Sequence, residues 1–121
     1  MGKDHFSNHC QNCGGELEME KLSCRNCGLV VEGGIQLPRL ARLAAEDREF
    51  IELFVLSGGS LKEVGKILKL SYPTVRGRLD RVIENLRRLD RDRQAARRSI
   101  IRRLEQGEIT AEQAVKELNQ F

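Results

Sequence analysis

Tryptophan is missing from this chain of 121 residues, and aromatic residues of all kinds make up only 4% of it. A single large core is therefore not expected, and aliphatic helix faces have to supply the packing. The length allows one domain or two or three small modules, and modules of that size need a staple. No apolar run is long enough to span a membrane, and the opening MGKDHFSNHC lacks the apolar stretch of a secretion signal, so a cytoplasmic protein with no membrane partner is expected. Charge of one sign is also lacking: 21 basic residues face 18 acidic ones, and the net +3 does not by itself imply nucleic acid. No nucleophile stands beside a base and no carboxylate pair lies in an apolar setting, so the chain is not expected to be an enzyme.

What is present begins with cysteine. Cys10, Cys13, Cys24 and Cys27 lie in two Cys-x-x-Cys-Gly knuckles, CQNCG and CRNCG, with ten residues between them. In a reducing compartment such pairs point to metal rather than disulfides, and four thiolates saturate one tetrahedral Zn²⁺, leaving no open position for catalysis. A redox pair is the weaker reading, because it wants one motif placed before a helix in a βαβ unit. His5 and His9 read as tail residues once four cysteines fill the metal. The loosely alternating Glu16 to Ser23, and Leu29-Val30-Val31, read as the short strands of a ribbon that Gly33-Gly34 closes. Residues 1–34 carry three basic and five acidic side chains and no aromatic placed to stack on a base, which favours a protein-facing or self-facing ribbon.

From Arg39 the pattern turns helical, with Leu40, Leu43, Phe50, Ile51, Phe54 and Val55 along one side and Ser57-Gly58-Gly59 at its end. Ser60 caps a second helix, and Glu63 three residues on completes a capping box. In SLKEVGKILKLSYPTVRGRLDRVIENLRRL, Leu61, Val64, Ile67 and Leu68 recur at helical spacing, and after a turn at Leu70-Ser71 so do Val75, Leu79, Val82, Leu86 and Leu89. That is a helix-turn-helix pattern. Ser71 reads as the N-cap of the second helix, with Pro73 in its first turn. With Val75 at the centre of the buried side, the other seam residues fall within about 40° of it at 100° per residue, while Pro73, Thr74, Gly77 and Arg81 point away. Arg76 and Arg78 flank that outward set. A helix start that is small, polar and basic outside suits a major groove, where arginine reads guanine or holds phosphate. Between Lys69 and Arg91 seven basic residues meet three acids, so the positive charge sits on this helix.

The same residues resemble the DNA-binding helix-turn-helix of bacterial sigma-factor region four and related response regulators. The four-cysteine N-terminus with FIELFVLSGGSLKEV and LSYPTVRGRLD resembles, over most of the chain, small prokaryotic proteins of uncharacterised function that join a zinc ribbon to a helix-turn-helix. The resemblance implies that fold and, more loosely, DNA binding. One departure is visible: the turn glycine of that family is Lys69 here, so the turn is strained or differently shaped.

The seam steps by four and three and then meets Arg93; it serves either a dimer or packing on the protein's own first helix. Glu84 and Arg88 stand four apart, in the order that favours pairing. Arg91 to Arg103 reads as a basic helix, Gly107 as its stop, and Thr110 with Gln113 as the capping box of a last short helix. IIRRLEQGEITAEQAVKEL resembles the short C-terminal helical hairpins of many bacterial proteins, and its apolar stripe exceeds what it can bury on itself.

The expectation is thus a mainly α fold with a small β zinc ribbon: a ribbon over 1–34, a helix-turn-helix DNA-binding domain over 35–90 with a long second helix, and a C-terminal helical hairpin over 91–121 for oligomerisation or docking. The function expected is a transcriptional regulator binding double-stranded DNA as a homodimer through Lys69, Ser71, Tyr72, Pro73, Thr74, Arg76, Gly77, Arg78 and Arg81. The alternative is an adaptor whose helix pair binds RNA polymerase, a sigma factor or another regulator.

Overall fold

The computed structural model describes residues 6–120; His5 lies outside them. Its elements run β1 (Met19–Ser23), β2 (Val30–Ile35), a 3-10 helix (Arg39–Arg42), then α1 (Ala45–Leu56), α2 (Leu61–Leu68), α3 (Tyr72–Glu105) and α4 (Ala111–Leu118). The fold is mainly helical with one antiparallel two-stranded sheet. Ser23 faces Val30, Leu22 faces Val31, and Lys21 faces Glu32 at 3.9 Å, whereas Met19 pairs with Ile35. One extra residue is therefore accommodated on β2. Gly33 adopts φ of 131° there, so Gly33-Gly34 lie inside the second strand as a bulge and do not close the ribbon. The hairpin has almost no interior: apart from half-buried Met19 and Ile35 at its open end, every residue of both strands is exposed.

The expected first helix is broken. Arg39–Arg42 form a 3-10 turn, Leu43 is extended, and α1 starts only at Ala45. Arg48 replaces the missing helical bonds, donating to the carbonyls of Ala41 and Leu43. The break turns Leu43 into the core and leaves Leu40 and Val55 in solvent, where one straight helix would have aligned all three. Glu46 and Asp47 occupy the first turn of α1, where carboxylates oppose the positive end of the helix dipole. Asp47 also accepts from Asn85 of α3 at 2.8 Å.

At α2, Ser60 Oγ accepts from the Glu63 amide at 3.2 Å. The reciprocal arm of the box is replaced: the Ser60 amide donates to Ser57 and Glu63 pairs with Lys66. Val64 and Val75 are completely covered, and with Leu43, Phe50, Leu53 and Val82 they form the core. Leu79, Leu86 and Leu89 pack against it half-buried. The seam of α3 is consequently taken up by the chain's own first helices, not kept free for a second copy. At ~1.5–3 kcal/mol per fully buried aliphatic or aromatic side chain, these contacts hold the three helices together.

α3 is one unbroken helix of 34 residues. It runs straight through positions 90 and 91, so no helix end marks the division expected there. Beyond Arg93 the same apolar side continues in Ala96, Ile100 and Leu104. Gly107, at φ of 73°, ends α3: its amide and that of Glu108 return to the carbonyls of Leu104 and Arg103. Thr110 and Gln113 cap α4 reciprocally, as expected. α4 then folds back on α3, burying Ile100 and Ala114 and joining Arg103 to Glu117 by two bonds of 2.7 and 3.3 Å.

The ribbon is tied to the helices through buried Asn8, which donates to the Arg42 carbonyl at 2.6 Å, and through the Arg42–Glu16 ion pair at 3.0 Å. Arg48 also donates to the Phe6 carbonyl and lies 5.3 Å from the centroid of its ring. A shallow cleft lined by Leu17, Ile35, Leu37, Arg42 and Gln120 marks where ribbon, connector and the end of α4 meet.

Candidate nucleic-acid interface and cysteine knuckles

The turn between α2 and α3 fixes how α3 is presented. Lys69 takes the left-handed conformation, φ 57° and ψ 42°, and its amide together with that of Leu70 returns to the Gly65 carbonyl. The turn keeps the ordinary left-handed shape despite the missing glycine, at a cost of roughly 1 kcal/mol for a side chain in that region. Gly65 is the small residue the turn requires, since a Cβ there would lie 3.0 Å from the Leu70 carbonyl oxygen. Ser71 does not cap α3 through its side chain; its hydroxyl instead meets that of Thr74 at 2.9 Å. A hydroxyl partner one turn ahead competes with the backbone amide that Ser71 was expected to hold. Tyr72 and Pro73 form the exposed first turn.

The outward set divides in a way the helical projection alone does not give. Thr74, Arg76, Gly77 and Arg81 are exposed. Arg76 forms a surface ion pair with Asp80 at 3.2 Å, a contact cheap to exchange for another anion. Arg78 is different. Its guanidinium carbon sits 5.4 Å from the centroid of buried Phe50, so this half-exposed side chain also packs against the protein's own core. At about 60° from Val75, it falls nearer the buried side than Arg76, Gly77 or Arg81, and the position of Phe50 in three dimensions supplies the contact.

Two further arginines extend the outward face. Arg87 and Arg88 are exposed one to two turns beyond Arg81, and among the described residues neither forms an ion pair within hydrogen-bonding range. Their helical angle, close to that of Arg76 and Arg81, was the available signal. Glu84 does not pair with Arg88; it reaches two turns along to Arg91 at 2.6 Å. That guanidinium, by hydrogen bond and charge, holds the Glu84 carboxyl below its ordinary range.

The cysteines sit in two knuckles of the same geometry. In each, the first cysteine's amide donates to the carbonyl five residues on, and the glycine amide returns to the first cysteine's carbonyl. Gly14 and Gly28, at φ of 75° and 76°, make this turn possible. The sulfurs receive backbone amides: Asn12 to Cys10 and Gly15 to Cys13, both at 3.4 Å. Amides of Cys13 and then Asn12, followed by the Cys13 thiol, lower the Cys10 thiol from its ordinary value, and Cys27 and Asn26 do the same for Cys24. Donors aimed at sulfur favour the thiolate, the form that ligates metal. The four cysteines are free and stand as two close pairs compatible with metal binding. Among the described residues no three cysteine, histidine, aspartate or glutamate side chains converge into one metal-binding group. His9 is exposed, in a backbone bridge with Glu16. No described helix is long and apolar enough to cross a membrane.

No curated protein and no solved structure matches the chain. Residues 43–88, from the core residue Leu43 to Arg88 of α3, match the family model described as a domain of unknown function (DUF2089)-HTH, so this part of the chain is similar to a helix-turn-helix family of uncharacterised function.

Proposed function

We propose that the protein is a DNA-binding transcriptional regulator, not an enzyme, in which the start of α3 enters the major groove of double-stranded DNA. The observation that carries this reading is the division of that segment: Val75 and Val82 are buried while Thr74, Gly77 and Arg81 stand in solvent directly after the turn. Thr74 and Gly77 face the bases, with Ser71, Tyr72 and Pro73 at the groove's rim. Lys69, Arg76, Arg81, Arg87 and Arg88 supply the charge for bases and phosphates. Cys10, Cys13, Cys24 and Cys27 would hold one zinc ion as four thiolates, a closed structural site that supplies folding energy and no catalysis. The protein acts as a homodimer through the C-terminal hairpin, whose Ile101, Leu104 and Val115 are exposed.

Selection from random duplexes, followed by a salt series on the selected site, tests the reading. Affinity should fall linearly in log salt, and the variant Arg76→Ala should flatten the slope by about 1 if it meets one phosphate. An adaptor is favoured by a different observation: Ile67, Leu70 and Tyr72 are exposed around the turn, and Asp80 and Glu84 lie on the outward face of α3. Such a protein, docking on RNA polymerase, a sigma factor or another regulator, would bind no duplex even at low salt.

A further inference from the structure

Glycine is among the least favourable residues in a helix interior, so its presence there calls for a reason. The two helical glycines of this chain differ in that respect. Gly65 has an internal reason, because an added Cβ would meet Leu70 at 3.0 Å and Val75 at 3.6 Å. Gly77 has none: an added Cβ would meet no atom within 4 Å, and its φ is not positive. It is exposed, with Thr74 one turn before it and Arg81 one turn after it on the same side. Pro73 and Thr74 are small, and the Thr74 hydroxyl is held by Ser71, so bare helix backbone is reachable at this spot. Of the two other arginines nearby, Arg76 keeps an exchangeable surface pair with Asp80 and Arg78 packs on Phe50. Arg81 forms no ion pair among the described residues.

We infer that Gly77 is the point of closest approach to a base-pair edge in the major groove, and that Arg81, not Arg78, is the guanidinium that reads the neighbouring base. The inference rests on the DNA-binding reading and adds to it the ridge of Thr74, Gly77 and Arg81. A helix with its side chains is about 10–12 Å across and the groove about 12 Å wide, so a position without a side chain decides how deep the helix can sit. The ligand is duplex DNA whose base edges, not only its phosphates, lie against this ridge.

The test uses the full chain, the selected duplex and a random duplex of equal length. Gly77→Ala should raise the melting temperature, weaken binding to the selected duplex at least tenfold, and change binding to the random duplex less than threefold. A melting temperature that falls would give Gly77 an internal role and overturn the inference, as would selected-site affinity unchanged within twofold; in both cases the DNA-binding reading stands. In repeated selection, Arg81→Ala should erase the preference at one base pair while Arg78→Ala leaves the preferences as they were, and the reverse pattern would overturn the assignment. A wild-type chain that binds no duplex at low salt removes both the inference and the reading it rests on.

Discussion

Lys69 is the one non-glycine residue with positive φ among those described, and it joins α2 to α3. Lys69→Gly should stabilise the chain by about 1 kcal/mol in chemical denaturation, because the left-handed penalty disappears. Lys69→Ala should not, since alanine carries the same Cβ. Arg78 makes the opposite case. Losing its stack on Phe50, Arg78→Ala should cost about 1 kcal/mol, the scale of a partly desolvated cation–π contact, without altering the bases preferred. Residues whose partners are local were legible in the sequence: the hydroxyls of Ser60 and Thr110 each accept the expected amide three positions on, and the reciprocal arm of the box forms at Thr110 but not at Ser60. Arg78 was not, because its partner lies 28 positions earlier on another helix. Ser71 failed for a subtler reason, since Thr74 offers its hydroxyl at the same spacing as the amide.

At the scale of elements, the ribbon and the helices stand on different physical ground. β1 and β2 bury nearly nothing, so apolar burial cannot hold them, and a two-stranded hairpin alone is marginal in water. The hydrogen bonds of the knuckles, and the proposed zinc ion when bound, are left to supply the stability. If the cysteines hold the proposed zinc ion, chelation should collapse the amide resonances of residues 10–35 to random-coil positions while those of α1 to α3 stay in place, because Leu43, Phe50 and Val64 pack in a core made by the helical part of the chain. Loss of the helical resonances as well would make the metal a support for the whole chain. The strand pattern was readable from alternation, but the bulge at Gly33 was not, because a paired glycine signals a stop and a bulge equally well. On α3, the depressed Glu84 carboxyl fixes a sign: its pairing with Arg91 is complete above the ordinary carboxylate range and is lost as pH falls through the lowered value. With both side chains exposed, the effect on stability is small.

At the scale of the molecule, α3 is a spine of about 50 Å that offers one apolar side to two different partners. Its first half covers α1 and α2, its last turns cover α4, and half-buried Arg93, whose Nε has no hydrogen-bond partner, lies between the two. Sequence periodicity shows such a side but not which element occupies each part of it, and this is why the seam read equally well as a dimer interface. Since α1 and α2 take the first half, the surface left for a second copy lies at the far end, where Ile101, Leu104 and Val115 are exposed. Ile100 and Ala114 already serve the hairpin's own small core and are poor choices for a test, and half-buried Leu118 is little better. Leu104→Glu with Val115→Glu places charge on the exposed residues alone, so helicity should be kept within a few per cent of the parent. Sedimentation velocity at micromolar concentration should then show a monomer where the parent shows a dimer. A dimer that survives both charges would put the contact elsewhere on the chain, and a parent that is already monomeric at that concentration would leave α3 and α4 to meet a different partner.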